Sequence, residues 1–224
     1  LTTQFRKFLT GVFIALIASG CGSNVRLDPP TIPKPLVDTL PLHVGLRIPN
    51  EFQSFRHTEE VIGNEEWSID LGRSNAVFFE QLFGYLFSEV TILGPDEDAS
   101  AMTLDALVEP SIDAFEFSVP TQSKTDAFAV WIRYRLKVFD ANGRQIGNWP
   151  VSAYGKSQAT TFSGDEALQR AAVLAMRDAA ALMIFRFDPD RFMKRLSGEG
   201  EPLEGDDEST ATVTAAGEQG GSNE

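Results

Sequence analysis

The sequence predicts an α+β domain: a mostly antiparallel sheet with two helices packed on one face. Three observations carry that expectation. Apolar residues alternate with period two at Leu42, Val44, Leu46 and Ile48, and again at Phe128, Val130, Ile132, Tyr134, Leu136 and Val138, the pattern of half-buried strands. Two stretches repeat at helical spacing instead: Phe79, Leu82, Phe83, Leu86 and Val90, then Leu168, Ala171, Ala172, Ala175, Ala179, Leu182 and Met183. The order is strand, hairpin-like excursion, helix, three or four strands, helix, which packs as helices on one side of a sheet.

The first element precedes the domain. Arg6 and Lys7 give a positive start, and Phe8 to Ala18 is apolar apart from Thr10 and Gly11. The run is shorter than the roughly 20 residues that span a bilayer. With the small residues Ala18, Ser19 and Gly20 behind it, residues 1–20 read as a secretory signal peptide. Leu1 as a first residue suggests an alternative start codon or a slight truncation. Cys21 follows as the only cysteine. The fold therefore rests on packing without an internal disulfide. Residues 21–39 are proline-rich, with four prolines in "LDPPTIPKPLVD". Proline stiffens a chain and removes ladder donors, so this stretch is either a tether or a segment packed along the domain surface.

The domain is expected over residues 40–196. "LPLHVGLRI" is its first strand. "FQSFRHTEEV" and "EEWSIDL" are weaker strands around a turn at Gly63-Asn64. Ser74 suits an N-cap for a helix running to Val90. Phe78 and Tyr85 lie off its main stripe, so either another element covers them or a partner does. Strands follow at about 102–109 and 111–119, which can also be one strand bent at Pro110, and at 126–139. "DANG" is a hairpin turn with Gly143 suited to positive φ, and Arg144 to Ser157 returns. The last helix opens on a capping box, Ser163 with Glu166, helped by Asp165. Pro189 is expected to stop it. Residues 197–224 hold eight of the 32 acids, no Lys or Arg and no aromatic. Such a segment buries too little apolar surface to offset its ordering entropy, so it reads as a disordered acidic tail.

A net charge of −13 with no basic domain excludes nucleic acid as a partner. Candidate chemistry is sparse. His43 and His57 have no second ligand at metal spacing. "YGKS", 154–157, ends like a phosphate loop, but Pro150 stands where that loop needs glycine. Asp188 and Asp190 flank a proline and read as a helix stop. The expectation is a protein without enzymatic activity, metal or small-molecule cofactor. One constellation does point to binding. Trp131, Arg133, Arg135 and Lys137 share the strand face opposite the core, and the return strand adds Arg144, Tyr154 and Lys156. A basic, aromatic-flanked face suits anionic lipid heads, an acidic glycan or an acidic partner. The alternative is an ordinary solvated face.

Ala18-Ser19-Gly20-Cys21 resembles the lipobox of bacterial lipoproteins, departing from the usual pattern at Ala18, where leucine is commoner. The resemblance implies that the Cys21 thiol takes a diacylglycerol, that cleavage precedes it, and that its amine receives an acyl chain such as palmitate. Gly22 in place of aspartate implies the outer membrane, with the domain facing the periplasm. The stretches "PLHVGLRI", "NAVFFEQLFGYLFSEV", "AVWIRYRLKVFDANGRQIGNW" and "ALQRAAVLAMRDAAALMIFRF", about a third of the chain, resemble in order the lipopolysaccharide-assembly lipoprotein family and related periplasmic accessory lipoproteins. The insertion at 52–70 and the acidic tail depart from that family. The resemblance implies a non-enzymatic accessory in assembly or transport of an envelope component, working with an envelope protein complex. The alternative is a carrier that itself binds lipid or glycan.

Overall fold

The structure, a computed structural model, describes residues 23–61, 65–123, 125–159 and 164–200. Cys21, expected to carry the lipid, the expected signal segment, the expected Gly63-Asn64 turn, Ser163 and residues 201–224 lie outside them. Eight strands are described: β1 (Ser23–Arg26), β2 (Leu40–Arg47), β3 (Arg56–Val61), β4 (Glu65–Asp70), β5 (Phe87–Leu93), β6 (Ala106–Ser118), β7 (Ala127–Asp140) and β8 (Gln145–Gln158). Four α-helices accompany them: α1 (Asn50–Gln53), α2 (Gly72–Leu86), α3 (Gly164–Arg186) and α4 (Pro189–Leu196).

The α+β class holds, but both sheets are mixed. The larger has the order β5-β2-β6-β7-β8, and the smaller β1-β4-β3. β2 runs parallel to both β5 and β6, whereas β6-β7-β8 is an antiparallel meander. The parallel pairings of β1 with β4 and of β2 with β6 make part of the difference, and β5 makes the rest. The stretch "FSEVTIL" continues the apolar pattern of α2 into what reads as more helix, yet the chain turns extended at Phe87 (φ −124°, ψ 148°). Its β-branched Val90, Thr91 and Ile92 fit a strand better than a helix turn. A long crossover then brings β5 back parallel to β2, as parallel pairing requires.

One further expectation changes, and the structure decides between alternatives or adds detail at others. Ser74 is not a cap; α2 begins at Gly72, and the Ser74 hydroxyl donates to the Leu27 carbonyl. That bond belongs to a packed N-terminal segment. β1 pairs with β4, and Val25, Leu27 and Ile32 are buried in the core. Of the two readings of the proline-rich stretch, residues 23–32 follow the packed one. Pro189 ends α3 but also starts α4, with the Asp188 carboxylate accepting from the Arg191 N–H at 3.0 Å. Proline suits the first helical position because its missing N–H would be unpaired there anyway. Ser197 and Gly198 (φ 81°) close α4, so the described chain stays structured past residue 196. Pro110 lies inside one continuous strand, β6, opposite Leu136, with the register shift between Ile112 and Ala114.

The core lies between the larger sheet and α2 and α3. Every expected core residue of β7 is buried, as are Val151 and Ala153 of β8; Trp149 is half-buried. Phe78 is fully buried against Phe79 (rings 5.0 Å apart) and Tyr134 (6.0 Å), which removes it as a partner contact. Tyr85 is half-buried and donates to the Ile32 carbonyl at 3.3 Å. The Tyr134 hydroxyl donates to Asn75 Oδ1 at 2.8 Å, with both residues at 0 % exposure. Burial pushes that phenol well above its ordinary range. The alanines of α3 let it sit directly on β8. A Cβ added at Gly155 would collide with the Ala171 carbonyl oxygen and the Ala175 nitrogen.

Candidate functional site

Two regions meet the description of a site. The first is the outer face of the larger sheet. Trp131, Arg133, Lys137, Tyr154 and Lys156 are exposed there, and Arg135 is half-buried. Trp131 and Tyr154 stand with ring centroids 5.0 Å apart. The face is not simply basic, because β6 contributes acids that an argument from β7 and β8 alone omits. Glu109 pairs opposite Lys137 and Glu116 opposite Trp131. The Asp113 carboxylate lies 2.6 Å from the Arg135 guanidinium. Arg135 also donates to Asn148 at 3.1 Å, and Arg133 to the Ser152 hydroxyl at 3.3 Å. Arg144 lies off this cluster, bound to Asp140 at 3.0 Å. The surface around Trp131 holds a depression of ≈ 240 Å³ bounded by Glu116, Arg133 and Ser152.

The second region is a cleft of ≈ 410 Å³ between α2, the C-terminal end of α3, α4 and the sheet. Its floor is apolar: Leu82, Phe83 and Leu86 from α2, Val108 and Leu136 from the sheet, and Met183 from α3. Phe192 of α4 walls one side, its ring 5.4 Å from Phe187, 6.0 Å from Trp149 and 6.0 Å from Phe87. The local sequence explains the gap. α3 packs with alanines along most of its length, then changes to Met183, Phe185 and Phe187 just before the chain breaks at Asp188 and turns into α4. Met183 and Phe187 line the cleft where alanines face the sheet earlier in the helix, and Phe185 is exposed to solvent.

The cleft is rimmed by Arg186, Arg191 and Arg195, with Asp188 as the acid among them. Arg195 is braced, donating to the Ile146 carbonyl at 3.1 Å. Among the described residues, the guanidinium groups of Arg186 and Arg191 make no hydrogen bond or ion pair. Asp188 is engaged as the α4 cap. Beside the mouth, Phe185 is 88 % exposed. Of these residues only Asp188 belongs to a feature legible in the sequence, the helix stop at Pro189. The sequence signal was available only as three arginines interleaved with Phe185, Phe187 and Phe192 around a proline.

His43 and His57 stand apart. His43 hydrogen-bonds Thr91 at 2.7 Å on the β2/β5 pair, and the His57 ring packs on Phe115 and Phe117. Among the described residues no group of three His, Cys, Asp or Glu is placed to hold a metal, and no helix is long and apolar enough to cross a membrane.

No family model matches the chain, and no curated protein matches it. Solved bacterial proteins resemble its course. A Xanthomonas campestris protein of the family designated DUF330 aligns over 73 % of this chain and 93 % of its own, at 10 % identity and a TM-score of 0.49. A minor lipoprotein of Acinetobacter baumannii aligns over 74 % and 100 %, at 11 % identity and a TM-score of 0.38. A lipoprotein of Neisseria meningitidis aligns over 64 % and 97 %, at 12 % identity and a TM-score of 0.34.

Proposed function

We propose that the chain is a lipoprotein anchored through Cys21 in the outer membrane, facing the periplasm, and that it is a non-enzymatic accessory in assembly or transport of an envelope component. The anchor rests on Ala18-Ser19-Gly20-Cys21 behind an apolar run. The observation that carries the accessory role is the position of the cleft relative to that anchor. Ser23 pairs opposite Trp67, and Trp67 packs on Phe128 at 5.6 Å, beside Gly164 at the start of α3. Cys21 is two residues from Ser23, within a reach of about 7 Å. The cleft lies at the other end of α3, 23 residues on, or about 34 Å at 1.5 Å per residue. The tethered end and the binding end are thus opposite poles of one domain. That arrangement suits a protein presenting its site away from its own membrane. The walls are carbon and arginine with one acid, Asp188, whose carboxylate is engaged as the α4 cap.

The test is recovery from membranes. Wild-type protein carrying a photo-crosslinker at Phe185 should capture an envelope protein complex, and Cys21→Ser should lose both the acyl group and membrane retention. A wild-type N-terminus without acyl chains in mass spectrometry would remove the anchor. Capture of nothing at Phe185, with the anchor intact, would remove the accessory role.

A further inference from the structure

We infer that the cleft between α2, α3 and α4 is a binding site for a single-chain anionic lipid, with the acyl chain on the apolar floor and the carboxylate or phosphate head at Arg186 and Arg191. The inference deepens the accessory reading by naming what the cleft holds, but its physical basis is separate.

Small-ligand sites are typically about 300–1,000 Å³, apolar, with a few polar groups that fix orientation. A volume of ≈ 410 Å³ lies low in that range and suits one chain better than a bundle of several. Leu82, Phe83, Leu86, Val108, Leu136 and Met183 offer a carbon floor to that volume, which opens to solvent beside the arginines. A purely apolar guest would leave the rim unused. Arg186 and Arg191 have no side-chain partner among the described residues, and they stand at the mouth of an otherwise acidic protein. A guanidinium presents a planar fork that matches carboxylate and phosphate. An anionic head at the mouth with a chain below is the one guest that uses both features. Ser23, the first described residue after Cys21, is paired with Trp67 at the far end of α3 from this cleft.

The experiment uses the full chain carrying Cys21→Ser, so that no attached lipid competes. Laurate is titrated below its micelle concentration by calorimetry, beside dodecyl maltoside (the same chain length, uncharged) and hexanoate (the same head, half the chain). Laurate should bind saturably at one site. Hexanoate should bind at least tenfold more weakly, since chain burial supplies the affinity. Dodecyl maltoside should bind about tenfold more weakly, since a charge-assisted bond is lost. Arg186→Gln with Arg191→Gln should weaken laurate about tenfold and leave dodecyl maltoside unchanged. Both arginines are exposed, so the double variant should fold, which circular dichroism checks. No saturable laurate binding, equal binding of hexanoate, equal binding of dodecyl maltoside, or indifference to the double substitution would each overturn the proposal. A negative titration leaves the crosslinking result at Phe185 standing, so the two readings fail separately.

Discussion

The two ends of α3 meet the same sheet in opposite ways. Near its start, Ala167, Leu168, Ala171, Ala172 and Ala175 are all at 0 % exposure, and Gly155 of β8 touches the helix backbone itself. At its end, Met183 and Phe187 stand over a cleft of ≈ 410 Å³. One helix on one sheet gives a sealed contact and a hollow one, and side-chain size decides which. Small residues let two backbones close on each other; large ones keep them apart and leave room between. Stability should reside at the closed end and in the floor of the open one, and binding at the mouth.

The comparison breaks first at the floor. Phe83 is 4 % exposed, ringed by Phe79 and Phe87 at 6.1 and 5.6 Å. Phe83→Ala should cost roughly 3–5 kcal/mol, read by urea unfolding. A loss under about 1 kcal/mol would mean that the cleft is wet to its base and that Phe83 carries little of the core. At the closed end the vulnerable position is the smallest one. Gly155→Ala should cost at least the roughly 1–3 kcal/mol typical of overpacking, because the added carbon meets backbone that no rotamer can move. If Gly155→Ala is neutral in thermal unfolding, α3 does not lie where the sealed end requires.

A third substitution probes the core between the ends. Tyr134→Phe removes the hydroxyl that donates to Asn75, and Asn75 is at 0 % exposure with its Nδ2 unpartnered among the described residues. Leaving the Asn75 oxygen unsatisfied should cost about 1–3 kcal/mol. The same residue sets an alkaline signature. The folded-state pKa of Tyr134 is raised, so stability is intact below the ordinary value of 10.0 and falls as pH rises above it. Wild type should lose stability above that point more steeply than Tyr134→Phe.

The hairpin at the tip of β7 and β8 gives a smaller effect of opposite sign with pH. Asp140 is buried, which alone would raise its carboxyl. The N–H groups of Arg144 and Asn142 and the Arg144 guanidinium outweigh burial and hold it below its ordinary value of 3.8. A depressed carboxyl contributes stability that is present above that value and lost as pH falls through the folded one. Asp140→Asn should lower stability at neutral pH and flatten the acid limb below about pH 4. Parallel acid limbs in the two proteins would show that the turn does not depend on this charge.

What the sequence revealed follows from how local each signal is. Every residue that period-two alternation named in β7 is buried, because a strand's two faces are written in its own residues; Ala127, Ala129 and Asp140 are buried too and fell outside that pattern. The helical stripe named Phe79, Leu82 and Phe83 for the same reason. β5 was hidden, because Phe87 and Val90 fit both a helix stripe and a strand, and only pairing with β2 separates the two. β1 was hidden because its four residues acquire meaning only beside β4. The outer face was half legible. Arg133, Arg135 and Lys137 do share a face, but Glu109 and Asp113 reach it from β6, across a register no single strand records. The cleft was the least legible, since it is a gap between elements and its arginines lie on both sides of a helix break.

The finest distinction between the ends is what each does with added volume. Met183 is 9 % exposed and lines the cleft. Met183→Phe adds carbon where space already exists, and swaps that keep a site apolar and near its volume usually cost less than about 1.5 kcal/mol. The expected change is within about 1 kcal/mol of zero, against the loss at Gly155 for the addition of a single carbon. The new ring should also occupy the floor the acyl chain would use, so laurate binding should weaken while the fold is kept. A destabilisation as large as that of Gly155→Ala would mean that the open end is as tightly packed as the closed one, and that the cleft closes in solution. Unchanged stability with unchanged laurate binding would keep the cleft but move the chain off Met183, toward Phe192 and Trp149.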